Sequence, residues 1–303
     1  MKIIGRDLGF PEGPVVMPDG AVAFVEMRLG LISKVTPAGE KVVVARPGGG
    51  PNGLALGPGG LLYVCNNGGT TWRQRDGEWT ALGHGGPEYT GGRIETVDPA
   101  SGEVRVLYDA CEGRRLSAPN DIVFGADGGF WFTDPGAVRR DNRDHGAVYW
   151  AKPDGSEIRR VLNRLNRPNG IGLSPDGRRL YVADTQTTRL YAWDVAGPGE
   201  LVKRDTPAAY GAFVIGGVAD ESRFDSLKVT ASGKICVATT GNGGIAEFWP
   251  DGGTCRRHQL PDAHATNLAF GGPDLRTAYV TLSGEGWLAA IPWHEPGLRL
   301  HFN

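Results

Sequence analysis

A short pattern of apolar and polar positions recurs six times along the chain. Each copy has a polar residue, a short apolar strand, a turn of Gly, Pro or Asp, and a second strand rich in β-branched and aromatic residues. Such runs are typical of paired β-strands. The copies are PEGPVVMPDGAVAFVE from Pro11, PNGLALGPGGLLYVCN from Pro51, PNDIVFGADGGFWFTD from Pro119, PNGIGLSPDGRRLYVAD from Pro168, FDSLKVTASGKICVAT from Phe224 and TNLAFGGPDLRTAYVT from Thr266.

The turn of the repeat is marked by a glycine. Because glycine reaches positive φ at little cost, we expect a tight turn at each of these positions. The glycine follows the polar residue by eight positions in five copies: Gly20, Gly60, Gly128, Gly177 and Gly233.

A second alternating pattern follows each copy, for example GLISKVTPAG from Gly30 and GWLAAIPWHEPG from Gly286. It predicts a second hairpin, so each unit has four strands. Six such units without a helical period predict an all-β, six-bladed β-propeller with four antiparallel strands per blade. We expect one domain over residues 1–303, with the ordered part beginning at residues 10–20. Two stacked sandwich domains are the rival fold, but they do not explain six copies in one register.

The composition and net charge limit the classes of partner that we expect. The 303 residues carry a net charge of −2, with 48 Gly and 21 Pro. This composition does not indicate a basic face, so we expect neither nucleic acid nor a membrane surface as partner. The N-terminus lacks the apolar stretch of a secretory signal, and the four cysteines show no zinc spacing. We therefore expect a cytoplasmic protein with free thiols, either a monomer or a weak homo-oligomer.

The polar residue of the repeat is the candidate site. Asn and Asp also favour turns, so a single copy would have little meaning. Together the six positions should form a ring at one mouth of the central channel, and no Lys or Arg occupies any of them. A bound cation would balance the two carboxylates, and an all-oxygen set suits Ca²⁺, Mg²⁺ or Mn²⁺. The ring comprises Glu12, Asn52, Asn120, Asn169, Asp225 and Asn267.

Several stretches together resemble one known family. They are EGP at Glu12, APNDIVFGADGGFWFTD from Ala118, RPNGIGLSPDGRRLYVAD from Arg167 and NLAFGGPDLRTAYVTLSG from Asn267. Over nearly its whole length the chain resembles the senescence-marker-protein/gluconolactonase/luciferin-regenerating-enzyme family, which includes regucalcin and is related to the squid-type diisopropylfluorophosphatase. The resemblance implies a six-bladed propeller with a divalent metal at the channel mouth and, in many members, hydrolysis of sugar-acid lactones.

The resemblance also implies the metal ligands. Glu12 matches the metal-binding glutamate of the EGP context, and Asn169 matches the asparagine of PNG. Asp225 matches the metal-binding aspartate, although the usual PDG context reads FDS here. Asn120 matches an asparagine that binds metal in some members and substrate in others. We expect one divalent ion, with Ca²⁺ favoured and Zn²⁺, Mn²⁺, Mg²⁺ or Fe²⁺ as alternatives.

Substrate contacts are expected around the same mouth. Regucalcin-like members carry an Arg two positions before the residue matched by Asn120, where this chain has Ala118. We expect Arg115, or Arg114, to reach in instead. The long Gly-rich insert between residues 66 and 92 is either a lid or a solvated hairpin. The predicted substrate-binding residues are Asn120, Asn52, Arg115, Tyr89 and His84.

These expectations define a metal-dependent lactonase acting on a small lactone. The metal would polarise the carbonyl, Asp225 is the candidate base for the attacking water, and Glu12 is a ligand. Two alternatives stay open. The same metal could serve a phosphotriesterase, or the propeller could bind a ligand without catalysis.

Overall fold

The described residues form six large antiparallel sheets, each with a four-stranded core, and one of them carries a fifth strand. A computed structural model describes residues 1–75, 78–205 and 209–302. The first strands of successive sheets contact one another in a closed ring, and the first sheet also meets the sixth. The predicted six-bladed propeller with four-stranded blades is therefore confirmed. None of the helical segments in the described ranges has the length and apolar character needed to cross a bilayer.

The blades follow one another along the chain. Blade 1 comprises Pro11–Val16, Val22–Glu26, Leu31–Val35 and Lys41–Ala45. Blade 2 comprises Pro51–Leu56, Leu62–Asn66, Arg93–Val97 and Val104–Tyr108. Blade 3 comprises Ile122–Phe124, Phe130–Asp134, Gly146–Ala151 and Ile158–Leu165. Blade 4 comprises Pro168–Leu173, Arg179–Asp184, Arg189–Gly197 and Glu200–Val202, with Phe213–Gly217 also paired to its third strand. Blade 5 comprises Arg223–Val229, Ile235–Thr240, Gly244–Phe248 and Thr254–Gln259.

Blade 6 closes the ring with strands from both ends of the described chain. Its first three strands are Ala265–Gly271, Thr277–Leu282 and Trp287–Pro292. Its outermost strand is Lys2–Gly5, which pairs antiparallel with Trp287–Pro292. The expectation that order begins at residues 10–20 is therefore wrong. The four-residue strand was missed because it is too short to show an alternating pattern.

The turns between strands, the cysteines and two small hairpins complete the described fold. The predicted turn glycines all have positive φ, from 69° at Gly177 to 90° at Gly233. Cys65, Cys111 and Cys236 are free and buried, whereas the side chain of Cys255 lies outside the described residues. Two small hairpins pair Thr71–Arg75 with Glu78–Gly83 and Ala110–Cys111 with Arg114–Arg115, and short 3-10 turns cover Met27–Leu29, Pro58–Gly60 and Ala209–Gly211.

The first strand of most blades carries an irregularity at its ring residue. A bulge bends a strand and re-aims a side chain, so it can turn the ring residue toward the channel. Blade 3 differs, because its first strand begins at Ile122, after Asn120. The pairing shifts between Glu12 and Val15, Pro51 and Leu54, Pro168 and Ile171, Phe224 and Leu227, and Ala265 and Asn267.

The glycine after Glu12 is required by this geometry. Gly13 has a φ of 53°, and an added Cβ would overlap the carbonyl oxygen of Asn52. We expect Gly13→Ala to lower the free energy of unfolding by about 2 kcal/mol, because backbone strain adds to a steric clash. Urea denaturation measures this change. Gly39→Ala is the matched control, since Gly39 has a φ of 86° with no neighbour within 4 Å of the added atom. Equal losses in both variants would contradict the close approach of the two blades.

Candidate functional site

The ring residues line one cavity of about 200 Å³ at the end of the channel where the first strands begin. Five of the six predicted ring residues, all except Asn267, are in its wall. Its lining comprises Phe10, Glu12, Met27, Asn52, Asn67, Thr70, Ala81, Leu82, Gly83, His84, Ala118, Asn120, Pro135, Gly136, Val138, Arg167, Asn169 and Asp225.

Glu12 is a buried carboxylate held by two donors. It is 3% exposed, and its Oε2 accepts hydrogen bonds from the Gly13 amide at 2.7 Å and from Asn267 Nδ2 at 2.9 Å. Burial raises the pKa of Glu12 to about 7, and these two hydrogen bonds oppose the shift. Asn267 therefore acts as a donor that positions Glu12, with its own oxygen turned away toward the Leu268 amide at 2.8 Å.

Asp225 is the second carboxylate of the cavity. Burial and the charge of Glu12 raise its pKa well above the usual range, while Asn169 and Arg167 act to lower it. The two carboxylates share one poorly solvated space, and this favours either a proton or a cation between them.

Two amide oxygens in the cavity lack any hydrogen-bond partner. Asn120 Oδ1 and Asn169 Oδ1 are both buried and unsatisfied. Asn169 is oriented by its Nδ2, which donates to Thr185 Oγ1 at 3.2 Å. Because unsatisfied buried acceptors are costly, such atoms call for an explanation, and an ion is one of them.

The channel beneath the cavity is crossed by an ion pair that the sequence pattern did not reveal. Lys228 Nζ lies 3.5 Å from Asp121 Oδ2 and donates to Asn267 Oδ1 at 3.5 Å. Asp121 is 1% exposed and also accepts from the Ile122 amide at 3.0 Å. Lys228 thus balances the charge of Asp121, and it holds the Asn267 amide in the orientation that serves Glu12.

The insert of blade 2 covers one side of the cavity. The His84 amide donates to the Val138 carbonyl at 2.6 Å, and the Val138 amide donates to His84 Nδ1 at 3.1 Å. The Thr70 hydroxyl donates to the Gly83 carbonyl at 2.7 Å, and Arg28 stacks over the Trp79 ring at 4.2 Å. Residues 76–77 of the insert lie outside the described ranges.

His84 is neutral in this setting. Burial, together with the charges of Arg167 and Arg139, lowers its pKa to about 4. Since Nδ1 accepts a hydrogen bond from Val138, the proton of the neutral ring is on Nε2. His84 thus offers the cavity a neutral donor.

The other predicted substrate contacts fall in different places. Asn52 and Asn120 line the cavity, whereas Tyr89 and Arg115 are not among its described lining residues. Tyr89 packs edge-on against His84 at 5.5 Å and donates its hydroxyl proton to the Ser117 carbonyl at 2.7 Å. Arg115 is exposed on a two-residue strand. Sequence reasoning missed Arg167, although it stands in the RPNG stretch just before Asn169.

A second cluster of potential ligands lies on blade 5, away from the cavity. Glu247 contacts His258 Nε2 and His294 Nε2, each at 3.1 Å. Lys234 Nζ lies 3.8 Å from the same carboxylate and 3.0 Å from Glu295. Positive charge from Lys234 therefore already accompanies this buried carboxylate, so the cluster needs no ion to balance it.

The cavity's donor set fits a hard divalent cation. Glu12 and Asp225 supply carboxylates with raised pKa values, and Asn120 and Asn169 supply unsatisfied buried oxygens. Hard cations such as Ca²⁺ prefer this all-oxygen chemistry. No His or Cys of the ring competes for a softer metal, and the His84 Nδ1 is already used as an acceptor.

Comparison with known proteins places the chain in a family. Residues 10–284 match the model of the SMP-30/Gluconolactonase/LRE-like region. A gluconolactonase of Zymomonas mobilis is 27% identical over 214 residues, which cover 64% of this chain and 54% of that protein. The diisopropyl-fluorophosphatase of Loligo vulgaris is 30% identical over 200 residues, which cover 62% of this chain and 61% of that protein.

A solved structure shares the fold. The gluconolactonase of Xanthomonas campestris superposes with a TM-score of 0.76 at 23% identity, covering 96% of this chain and 88% of that one. The match to the family model spans most of the chain, including four of the cavity's oxygen donors. The chain belongs to the SMP-30/gluconolactonase/LRE-like family.

Proposed function

We propose that this protein is a divalent-metal-dependent lactonase that opens the ring ester of a small lactone. The observation that carries the proposal is the convergence of Glu12, Asn120, Asn169 and Asp225 on one cavity, with two unsatisfied oxygens and two carboxylates of raised pKa. The gluconolactonase relative supports lactones as the substrate class.

Glu12, Asn120, Asn169 and Asp225 would hold the ion. When bound, a divalent cation supplies Lewis-acid polarisation of the lactone carbonyl oxygen. Asp225 accepts a proton from the attacking water or holds that water in line with the carbonyl carbon. Asn267 fixes the Glu12 carboxylate, and Lys228 fixes Asn267. The apolar groups of Met27, Leu82 and Val138 limit bulk water around the reacting ester.

Chelation tests the proposal directly. The protein is stripped with a chelator, dialysed, and assayed by pH-stat on five- and six-membered sugar lactones before and after adding Ca²⁺, Mn²⁺, Mg²⁺ or Zn²⁺. Elemental analysis of the untreated protein identifies the resident ion. We expect hydrolysis to disappear on chelation and to return with at least one ion. Full activity after complete chelation would refute the metal-dependent mechanism.

A phosphotriesterase is the second candidate. The similarity to the diisopropyl-fluorophosphatase of Loligo vulgaris favours it, and the same oxygen donors suit activation of a phosphoryl oxygen. Assaying a fluorophosphate and a lactone panel side by side separates the two activities. Hydrolysis of neither panel under saturating metal would favour a propeller that binds a ligand without catalysis.

A further inference from the structure

One permanent cation lies in the wall of the cavity. Arg167 is the only Lys or Arg among the described lining residues. Its main-chain amide donates to Asp184 Oδ2 at 2.9 Å, and Asp184 is fully buried at the end of the second strand of blade 4. The segment that carries Arg167 is therefore fixed by the blade and not left to move as a free loop.

Arg167 occupies a defined position of the repeat. It stands two residues before Asn169, as Ala118 stands two residues before Asn120. The Ala118 amide donates to Asp134 Oδ1 at 2.8 Å, which is the counterpart of the Arg167 contact with Asp184. The position that is a small apolar residue in blade 3 is thus an arginine in blade 4.

The same position of blade 5 is also an arginine. Arg223 stands two residues before Asp225 and is exposed at the rim. The charges of Arg143 and Arg223 both act to lower the pKa of Arg167, so both guanidinium groups lie close enough to repel that of Arg167. A positive region therefore extends over the mouth from the blade 3 loop that carries Arg143 to blades 4 and 5.

The carboxylates near this positive region form no ion pair with it. Asp225 and Asp184 both act on Arg167, but within the described ranges none of these three arginines lies within ion-pair distance of an Asp or Glu. Asp121 is already paired with Lys228. If the proposed cation offsets Glu12 and Asp225, Asp184 remains, and its oxygens already accept the main-chain amides of Arg167, Gln186 and Thr187. Among the described residues the Arg167 guanidinium is then left without an ion-pair partner in a poorly solvated space, where an unpaired charge is costly.

We propose that Arg167, with Arg223 at the rim, forms a subsite for an anionic group of the substrate. The lactone then carries a carboxylate or a phosphate outside its ring. A guanidinium binds either group through two parallel hydrogen bonds, which fixes orientation as well as charge. This inference rests on the proposed lactonase function, because it uses the same cavity.

The subsite also sets the direction in which the substrate lies. The insert of blade 2, across the ring from blade 5, contributes the apolar residues Ala81 and Leu82 to the lining. The anionic end would point toward blades 4 and 5, and the uncharged end toward the insert. The ester lies between them, beside Asp225.

Two pairs of matched substrates test the subsite. Each pair consists of a neutral aldonolactone and an anionic counterpart. The anionic member carries a terminal carboxylate in one pair and a terminal phosphate in the other. We expect Arg167→Gln to lower kcat/KM for the anionic lactones by about 10- to 100-fold, mainly through KM, since a charge-assisted contact is lost. The loss on the neutral lactones should be smaller, because they share only the effect of the Arg167 charge on Asp225. The substrate pair with the larger loss of kcat/KM shows whether the subsite binds a carboxylate or a phosphate.

Two controls separate this effect from others. Arg140→Gln removes the same charge from a side chain that is 95% exposed, and it should leave both substrate classes unchanged. Arg167→Lys keeps the charge and should restore part of the loss. An equal loss on neutral and anionic lactones would overturn the subsite, because Arg167 would then act on the ester itself.

Binding without turnover gives an independent readout. Calorimetry with the open-chain sugar diacid and with the matching monoacid measures the contribution of the second anionic group. The wild type should bind the diacid at least about 10-fold more tightly than the monoacid, and Arg167→Gln should remove that preference. The phosphorylated monoacid is measured in the same way, and affinities equal to that of the monoacid for both dianionic ligands would overturn the subsite. A diacid preference without any hydrolysis would overturn only the lactonase proposal.

Discussion

Replacing Asp225 by asparagine is expected to lower kcat for lactone hydrolysis by at least about 100-fold. The variant keeps one oxygen for the ion but loses the charge that binds it and the group that accepts a proton from water. Loss of a general base or of a fixed charge at the reacting ester has effects of about 10² to 10⁴ on rate. Initial rates at saturating metal measure the change, and titration calorimetry measures the accompanying loss of metal affinity.

The same variant should be more stable than the wild type when metal-free. The charge of Glu12 raises the pKa of Asp225, so removing the Asp225 charge relieves their repulsion. This gain distinguishes a site defect from misfolding. Asp194→Asn is the matched control, because Asp194 is half-exposed in a surface pair with Arg179 at 3.0 Å. Full activity of Asp225→Asn would contradict the assignment of this residue.

Glu12→Gln should gain stability relative to the wild type as pH rises in metal-free protein. Burial raises the pKa of Glu12 from 4.5 to about 7, so the native state holds this proton more tightly than the unfolded chain. Glu12 therefore contributes stability below pH 4.5, and that contribution is lost as pH rises through 7. The difference between variant and wild type should grow by about 3 kcal/mol across this interval.

Urea unfolding of both proteins in chelator, between pH 4 and pH 8, measures the difference. Saturating Ca²⁺ should reverse it at pH 7 and above, since an ion that binds the native charged site stabilises the wild type. A difference that does not vary with pH would show that Glu12 is ionised in the metal-free protein without cost.

His84→Asn is expected to show the opposite trend. Burial lowers the pKa of His84 from 6.5 to about 4, so the unfolded chain binds the proton more tightly. The wild type therefore gains stability relative to this variant as pH rises from 4 to 6.5, by about 3 kcal/mol. Asparagine keeps an acceptor for the Val138 amide. Because the contributions of Glu12 and His84 nearly cancel, the wild type alone would reveal neither, and each must be measured as a difference.

The fold was predictable because the repeat is long and local. Each copy holds a strand, a turn and a second strand within about sixteen residues, and turn glycines such as Gly128 show positive φ as expected. The closure of the propeller ring was not predictable, because Lys2–Gly5 pairs with Trp287–Pro292, which lies almost the whole sequence away. Such a pairing leaves no local pattern in a four-residue strand.

The ring was predictable, but the charges around it were not. Glu12 and Asp225 share a register that repeats along the chain, whereas Lys228 and Arg167 lie three residues after and two residues before ring positions. In five of the six blades the strand pairing shifts at the ring residue, which breaks the alternation used to predict where a side chain points. Only the folded backbone shows that Lys228 meets Asp121 and that Arg167 lines the cavity.

The pairing of Lys2–Gly5 with Trp287–Pro292 has a consequence for how the protein is made. Residues 2–5 are synthesised long before residues 287–292 and must wait for them before they can pair. Until then the nascent ring has two open strand edges, which invite pairing with other chains. A chaperone that shields strand edges during translation should therefore raise the yield of native protein more than one added to the completed chain.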